Sequence, residues 1–305
     1  MGDTPLHIVV IQQIINGLSV GAIYALIALG YTMVYGTLQL INFAHGEVYM
    51  VGAFAALYLA RWTGVADNPT VLGVVGIALG AMLVCAVLGM AIERLAYRPL
   101  RKSTRLNILI TAIGVSMLLQ NVGLLLFGAL DSFPTMVPET QWEPLTGLIV
   151  RSNDVITLGV TLTLMVILTF IVEKTQIGRA MRAVSHSRDA AALMGIPVDR
   201  VISFTFAVGS VLAAAAAVLV AMDKHVIRPD MGATGGLKAF VAAVLGGIGS
   251  IPGAVLGGLV LGECETLVSA LGGSSYRDAI AFAVLILVLL VRPAGLLGRH
   301  TIEKV

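Results

Sequence analysis

Four ionisable residues lie inside long stretches of otherwise apolar sequence: His45 and Glu47 towards the start of the chain, and Glu263 and Glu265 towards its end. Such a side chain is costly to bury, and it tends to have a function, such as carrying protons or lining a solute path. His45 and Glu47 are two residues apart, so on a helix they point to different faces and are not expected to share a metal ion.

Two interpretations of the first pair remain open. In one, the pair is structural: Asn42 caps the following helix, Glu47 lies near the positive helix end, and both side chains bond to neighbouring backbone. In the other, the pair lines a solute path or its gate. The candidate residues for a path or gate are Asn42, Phe43, His45, Glu47, Gly246 and Gly247.

Glu263 and Glu265 also have two interpretations. They lie six to eight residues from the end of an apolar run, which is about 9–12 Å along a helix. There they could carry protons in a coupled transporter. Alternatively, they bond to another helix or subunit or reach the membrane interface, and we favour this structural role.

Several kinds of enzyme site are missing from the sequence. It contains no G-x-x-x-x-G-K-[ST] and no Gly-Lys dipeptide, so a nucleotide would have to be bound by another polypeptide. It contains no H-E-x-x-H and no recognisable nucleophile–base pair, which argues against an intramembrane hydrolase. We therefore predict no catalytic residue, no metal site and no cofactor.

The composition is that of a membrane protein with many crossings. Apolar residues make up 58% of the 305 residues and charged residues only 12%, and the mean hydropathy is +0.96. The 34 glycines suit close helix packing in lipid. The two cysteines lie in apolar runs and imply no disulfide, and the net charge of +2 gives no reason to expect a nucleic-acid partner.

Apolar runs divide the chain into about eight membrane-spanning helices within one all-α domain, residues 1–305. The runs cover residues 8–36, 43–60, 70–92, 107–128, 154–172, 201–222, 252–271 and 279–291. With an external N-terminus, these runs alone would leave the basic C-terminus outside, against the positive-inside rule. A broken or re-entrant half-helix within residues 236–250 would correct this.

The two irregular elements, around His45 and within residues 236–250, fall in different halves of the chain. The halves, residues 1–150 and 151–305, could form a weak internal repeat that places both elements around one pathway.

Basic residues concentrate in three segments, which we place on the cytoplasmic side. These residues are Arg94, Arg98, Arg101, Lys102 and Arg105; Lys174, Arg179, Arg182, Arg188 and Arg200; and Arg292, Arg299 and Lys304.

The segment between residues 173 and 201 is long and basic and separates two apolar runs. We predict one amphipathic helix over residues 179–194, with Ala180, Val184, Ala191 and Met194 on one face. Gly195 and Pro197 would end it. A capped helix on the surface of a membrane protein indicates that something soluble docks there.

Two successive repeats of small residues lie near the end of the chain. Gly253 and Gly257 form the first repeat, and Gly258 and Gly262 form the second. This spacing lets two helices approach closely, so it predicts packing against a helix of this chain or of a partner.

Three blocks of the sequence closely resemble LivH-type permeases, which are membrane subunits of bacterial ABC importers for branched-chain amino acids. The first block starts with N-G-L-S-V-G-A-I-Y-A-L-I-A-L-G-Y-T-M-V-Y-G at residues 16–36 and continues with I-N-F-A-H-G-E-V-Y-M-V-G-A-F at residues 41–54. The others are A-F-V-A-A-V-L-G-G-I-G-S-I-P-G-A-V-L-G-G at residues 239–258 and R-P-A-G-L-L-G at residues 292–298. The resemblance covers nearly the whole chain.

The resemblance implies a multi-pass protein of the bacterial inner membrane that hydrophobic amino acids cross. It also implies three kinds of partner: a second, LivM-type permease, two ATPase subunits, and a periplasmic amino-acid-binding protein. Residues 178–197 are similar to the family's coupling helix, which docks on the ATPase. The residues implied in docking are Arg179, Arg182, Ser185, Arg188, Asp189, Ala190, Ala191, Met194, Gly195 and Ile196.

Two alternatives to an amino-acid importer subunit remain. Permeases for urea and short amides share much of the same pattern. A proton- or ion-coupled secondary transporter would instead use Glu47, Glu263 and Glu265, and it would work without an ATPase.

Overall fold

A computed structural model describes residues 5–101 and 103–298, and in this part the chain is almost entirely helical. The helices are α1 Leu6–Leu38, α2 His45–Thr63, α3 Val71–Ile92, α4 Arg98–Leu100, α5 Arg105–Phe127, α6 Ser152–Lys174, α7 Gln176–His186, α8 Arg188–Leu193, α9 Val198–Lys224, α10 Met231–Gly246, α11 Ile251–Ala270 and α12 Arg277–Val291. A π-helical turn, Glu93–Tyr97, joins α3 to α4, and a 3-10 turn, Ser274–Tyr276, precedes α12.

Four short strands lie in the connections between helices. The strands are β1 Asp131–Ser132, β2 Gln141–Leu145, β3 Leu148–Arg151 and β4 Val226–Ile227. β1 pairs with β4 and β2 pairs with β3, both antiparallel. The strands therefore join the end of α5, the start of α6 and the end of α9 at one end of the helix bundle.

Seven helical segments of the described residues are long and apolar enough to cross a membrane, which confirms the predicted polytopic all-α class. They contain α1, α3, α5, α6, α9, α11 and α12. α2 corresponds to the remaining predicted run but is less apolar, because it contains His45, Glu47 and Arg61. α10 has 16 residues and is too short for an ordinary span.

The spans form an inner and an outer group. In the most apolar part of α1 and of α9, 67% and 72% of the residues are buried. The corresponding shares are 22% for α3, 17% for α5 and for α6, and 6% for α12. The core of the protein therefore surrounds α1 and α9, whereas the outer helices present wide apolar faces to lipid or to other subunits.

The two ends of the bundle differ in character. α1 ends, and α9 begins, at the end that contains α7, α8, Arg98 of α4 and the following Arg101, and we call this end the basic side. The strands lie at the opposite end, where Arg61 at the end of α2 pairs with Asp131 of β1 at 2.7 Å. α11 runs antiparallel to α1, because Gly258 packs on Ala25 and Gly262 packs on Gly21.

α10 supplies the additional crossing that the charge pattern required. Since α9 ends beside the strands and α11 begins on the basic side, α10 connects the two ends of the bundle. The predicted bounds for this element, residues 236–250, were wrong. α10 starts five residues earlier, at Met231, and it ends at Gly246 before Gly247, whose φ of 103° does not continue a helix.

The start of α2 lies within the bundle instead of at its surface. His45 contacts Gly30 and Ile27 of α1, which lie about 12–17 Å before that helix ends at Leu38. Residues 39–44 therefore turn back into the protein after α1. A helix that begins at this depth is tolerated because protein surrounds it.

Candidate functional site

The surface segment between α6 and α9 consists of two helices, α7 and α8, and not of the single helix predicted over residues 179–194. The break is at Ser187, whose backbone is extended and whose Oγ accepts a hydrogen bond from the Ala190 N–H at 3.2 Å. A serine that caps a new helix competes with continuation of the old one. Thr175 caps the start of α7 in the same way, at 3.2 Å from the Gly178 N–H.

One side of this α7–α8 segment packs on the membrane helices. Met181, Val184 and Ala191 are buried in the main apolar core. Met194 was predicted on this face, and that prediction was wrong, because Met194 is 82% exposed. Since a new helix starts after Ser187, the spacing that would align Met194 with Val184 does not hold.

The end of α8 forms an exposed apolar tip. Leu193 is 89% exposed, and Met194 follows it directly. Gly195 has a φ of +80°, which reverses the chain so that the Ile196 N–H donates to the Ala191 carbonyl at 3.0 Å. The sequence predicted this glycine stop, and the turn holds the tip away from the bundle.

The residues implied in docking are not all at the surface. The exposed ones are Arg179, Arg182, Asp189, Ala190, Met194 and Gly195. Ser185, Arg188 and Ile196 are half-buried, and Ala191 is buried. The exposed residues lie on both helices and at the tip, so the segment presents a continuous surface to solvent.

Arg188 points into the protein. Its Nη2 donates to the carbonyl oxygen of Leu38, the last residue of α1, at 2.6 Å. Burial, and secondly the nearby Arg101, lower the pKa of Arg188, but a guanidinium remains charged at pH 7. The start of α8 is thus attached to the end of α1 by a charge-assisted hydrogen bond.

A second set of charges on the basic side was not predicted. Glu93, fully buried in the π-helical turn, pairs with Arg101 and accepts a hydrogen bond from Ser203 Oγ at 2.6 Å. Arg101 also pairs with Asp199 at 2.6 Å, and Asp199 contacts Arg98. The charges join the end of α3 to the start of α9. An acidic residue at the end of an apolar run was the signal available in the sequence.

The polar residues at the start of α2 pack against α1 and α10. The His45 Nε2 lies 3.2 Å from the carbonyl oxygen of Ile27, and its ring meets that of Tyr31 edge-on, with the centroids 4.7 Å apart. Phe240 of α10 lies 5.9 Å from the Tyr31 ring and 5.8 Å from the Phe43 ring. Tyr31 thus contacts the first turn of α2, and Phe240 links Tyr31 to Phe43 just before that turn.

Asn42 does not cap α2 as predicted. Ala44 occupies the cap position, with no hydrogen bond from its side chain. The Asn42 Oδ1 instead accepts a hydrogen bond from the Tyr97 hydroxyl at 2.9 Å. The side chain is thus used to attach residues 39–44 to the π-helical turn, while the helix starts three residues later.

Glu47 is in the first turn of α2, as expected, and is 1% exposed. One carboxylate oxygen accepts a hydrogen bond from Ser116 Oγ of α5 at 3.2 Å, and the other faces Gly232 near the start of α10. Beside it, a Cβ on Gly46 would lie 3.1 Å from the Cα of Gly236. The two irregular elements, which lie far apart in sequence, therefore meet at a close backbone crossing.

Gly246 and Gly247 lie away from His45 and Glu47. Gly246 packs against Gly253 of α11, and Gly247 packs against residues 294 and 298. The N–H groups of Leu296 and Leu297 donate to the carbonyls of Leu245 and Gly246, each at 2.9 Å. These two glycines therefore form the junction between α10, α11 and the segment after α12.

Glu265 forms polar contacts between several helices. It accepts a hydrogen bond from the Tyr24 hydroxyl of α1 at 2.9 Å and lies 3.1 Å from the Lys238 Nζ of α10. Lys238 also pairs with Asp278 of α12 at 2.7 Å. Glu263 lies beside Gly17 of α1. The contacts of Glu265 fit the structural interpretation, and Lys238 is the partner that the sequence did not reveal.

The two small-residue repeats of α11 face different helices of this chain. Gly253 and Gly257 face α10, and Gly258 and Gly262 face α1. A Cβ added to Gly258 would lie 2.6 Å from the backbone nitrogen of Ala25.

Within residues 5–101 and 103–298, His, Cys, Asp and Glu form no group of three that could hold a metal ion.

The chain is similar to known transport proteins over almost its full length. The family model described as "Branched-chain amino acid transport system / permease component" matches residues 13–289. The permease protein BraD of Pseudomonas aeruginosa, from a high-affinity branched-chain amino acid transport system, is 45% identical over 302 residues, which cover 97% of this chain and 98% of BraD. The permease proteins LivH of Salmonella typhimurium and of Escherichia coli K12 are each 46% identical, with 97% of both chains covered.

Proposed function

This chain belongs to the family of permease components of branched-chain amino acid transport systems, as its resemblance to LivH-type permeases predicted. On that premise, we propose that the chain forms half of the pathway of an ATP-driven importer. It is a multi-pass membrane protein. In the proposed assembly, a second homologous permease forms the other half, two ATPase subunits bind from the cytoplasm, and a periplasmic protein delivers the amino acid. The membrane is the bacterial inner membrane.

The exposed tip of α8 is the observation that carries the proposal. Leu193 and Met194 are more than four-fifths exposed, they lie on the basic side, and the buried face of the same segment fixes them in place. Exposed apolar residues on a rigid support mark a surface that a partner covers. The P-loop is missing from this chain, so an ATPase on a separate polypeptide is the partner that suits this surface.

Arg188 offers a route from the docking surface to the membrane helices. When the ATPase subunits close on ATP, the tip moves, and the bond from Arg188 to the Leu38 carbonyl carries the movement to the end of α1. Residues 39–44 follow directly and lead to His45 and Glu47. Rearrangement there, where α2 crosses α10 at Gly46 and Gly236, would open the pathway to one side of the membrane at a time.

Hydrophobic amino acids are the substrates that we propose. An apolar side chain needs little polar recognition during passage, which agrees with a chain of 12% charged residues. Selection then resides mainly in the periplasmic binding protein. Urea or a short amide is the alternative substrate, and uptake assays with each compound distinguish the two.

A proton-coupled transporter is the competing mechanism, and the contacts of Glu265 argue against it. The carboxylate is held by Tyr24 and Lys238 at 2.9 and 3.1 Å, and Lys238 is itself paired with Asp278 at 2.7 Å. These contacts give Glu265 a place in the packing of α1, α10 and α11, as the structural interpretation expects.

Reconstitution tests the importer directly. The chain is placed in vesicles alone, or with the second permease, the ATPase subunits and the binding protein, and leucine uptake is measured with ATP or with a proton gradient. We expect uptake only in the complete system with ATP. Uptake by the chain alone, driven by a proton gradient, would establish the competing mechanism.

A double variant tests the docking tip within the same system. Leu193→Ser with Met194→Ser removes apolar contact area, and we expect leucine-dependent ATP hydrolysis and uptake to fall about 10- to 100-fold. Leu271→Ser is the matched control, since Leu271 is 88% exposed at the other end of the bundle. Equal activity of the double variant and the control would rule out docking through the tip.

A further inference from the structure

A cavity opens on the basic side where α3 and α9 meet α8. Its volume is about 770 Å³, which is large enough for a phospholipid headgroup with the first part of an acyl chain. The side chains of Met90, Phe204 and Ala207 form an apolar wall, and Arg94, Arg98 and Arg200 lie at the polar end. The cavity adjoins the tip of α8, since Ala192 and Ile196 line it, but none of the polar residues at the start of α2 does.

The charges around the cavity are unbalanced. Among the described residues, Arg98 contacts Asp199, but Arg94 and Arg200 have no carboxylate within ion-pair distance, and both are exposed. The buried carboxylate of Glu93 is already paired with Arg101. Two guanidinium groups therefore face the cavity with no acidic partner from the part of the chain that the structure describes.

The start of α9 adds hydrogen-bond donors to the same place. This helix of 27 residues begins after Pro197, and no side chain caps it. Its positive end opens beside Val198 and Asp199, which line the cavity. The N–H groups of Val198 and Asp199 suit a phosphate oxygen, and the Asp199 carboxylate in this first turn is already paired with Arg98 and Arg101.

The arrangement matches the two parts of an anionic phospholipid. The arginines lie at the basic end of α3, where the apolar surface of the bundle gives way to charge, and the apolar wall continues along α3 and α9 towards the membrane interior. Basic pockets of this kind between membrane helices bind anionic headgroups. We propose that this cavity binds one anionic phospholipid, with its phosphate between Arg94 and Arg200 and an acyl chain along Met90, Phe204 and Ala207.

A bound lipid at this place would influence transport. α9 is connected to the π-helical turn and the residues after it by Asp199, which pairs with Arg98 and Arg101. The exposed tip is flanked by Ala192 and Ile196, which also line the cavity. An occupied cavity would brace the tip against α3. This consequence depends on the proposed docking function, whereas the binding of the lipid does not.

Native mass spectrometry tests the binding of the lipid. The full-length chain is purified with the subunits that accompany it and equilibrated with equal amounts of phosphatidylglycerol and phosphatidylcholine. We expect one retained phosphatidylglycerol, with binding about 30-fold weaker in Arg94→Gln/Arg200→Gln, since each basic residue contributes about a fivefold factor. The control, Lys174→Gln/Arg179→Gln, removes two exposed charges elsewhere on the basic side and should retain the lipid.

A second variant separates a lipid from a free phosphate and from a protein partner. Ala207→Leu fills part of the cavity at its apolar wall without changing its charge. The variant should therefore lose phosphatidylglycerol but bind inorganic phosphate as before. Equal retention of the two lipids, or equal loss in the control, would overturn the proposal. So would quantitative crosslinking of an Arg94→Cys variant to an ATPase subunit, since protein would then fill the cavity.

Discussion

The α7–α8 segment and the contact between α1 and α11 show two ways in which this chain joins helices. On the basic side, long polar side chains make the connections: Arg188 reaches the end of α1, and Arg101 joins Glu93 to Asp199. Between α1 and α11 the backbones touch, with Gly258 against Ala25. Side-chain bonds can lengthen and re-form while helices shift, whereas a backbone contact leaves no such freedom. The difference predicts where the protein moves and where it stays rigid.

The largest expected effect comes from disturbing the rigid contact. Gly258→Leu places a side chain where even a Cβ would lie 2.6 Å from the Ala25 nitrogen, and we expect a loss of about 3 kcal/mol or more of stability, with little folded protein. Thermal unfolding in detergent measures this. Gly159→Leu is the control, because a Cβ at Gly159 has no neighbour within 4 Å. Equal melting temperatures of the two variants would contradict the assignment of a rigid contact.

Gly195→Val should separate coupling from folding. The φ of +80° is unfavourable for a β-branched residue by about 1–3 kcal/mol, so the turn after the tip should change its path while the spans insert normally. We expect leucine uptake to fall at least about tenfold, with normal amounts of protein in the membrane. Gly195→Asn, which tolerates this φ, should keep much of the activity. Normal uptake by the valine variant would count against docking at this turn.

Arg188→Ala tests whether the docking surface acts through α1. The change removes a hydrogen bond from a charged donor, which contributes about 1.5–3 kcal/mol, and we expect uptake to drop about tenfold while the ATPase still binds. Arg182→Ala is a control on the same segment, because its guanidinium bonds to Val172 of α6. If both variants lose uptake together with ATPase binding, Arg188 supports the segment as a whole and transmits nothing specific to α1.

Glu47→Gln should have the smallest effect. Glutamine keeps the shape and can still bond to Ser116, so only the carboxyl oxygen beside Gly232 is replaced. If the residue lines the gate, we expect uptake to fall about fivefold at unchanged expression, a difference of about 1 kcal/mol. Ser116→Ala reports the contribution of the bond alone. Reduced expression with a normal rate per folded molecule would instead assign Glu47 a structural role.

The long membrane-spanning helices were predictable because each needs a long apolar run, and a run is a local feature of sequence. The glycine stop at Gly195 was predictable for the same reason. The helix break at Ser187 was missed, although serine favours caps, because serines also occur within helices and the apolar spacing of residues 180–194 alone fits one helix. The pairs formed by Lys238 with Glu265, and by Arg188 with Leu38, join residues distant in sequence, and no local pattern indicates which partner a charge will meet.

The attachment of residues 292–298 to α10 has a consequence for how the protein is made. The last carbonyls of α10, on Leu245 and Gly246, receive their hydrogen bonds from Leu296 and Leu297. Because those leucines are synthesised after α11 and α12, the end of α10 gains these bonds only once the two longer helices that follow it exist. Truncation before Leu296 should therefore loosen the end of α10.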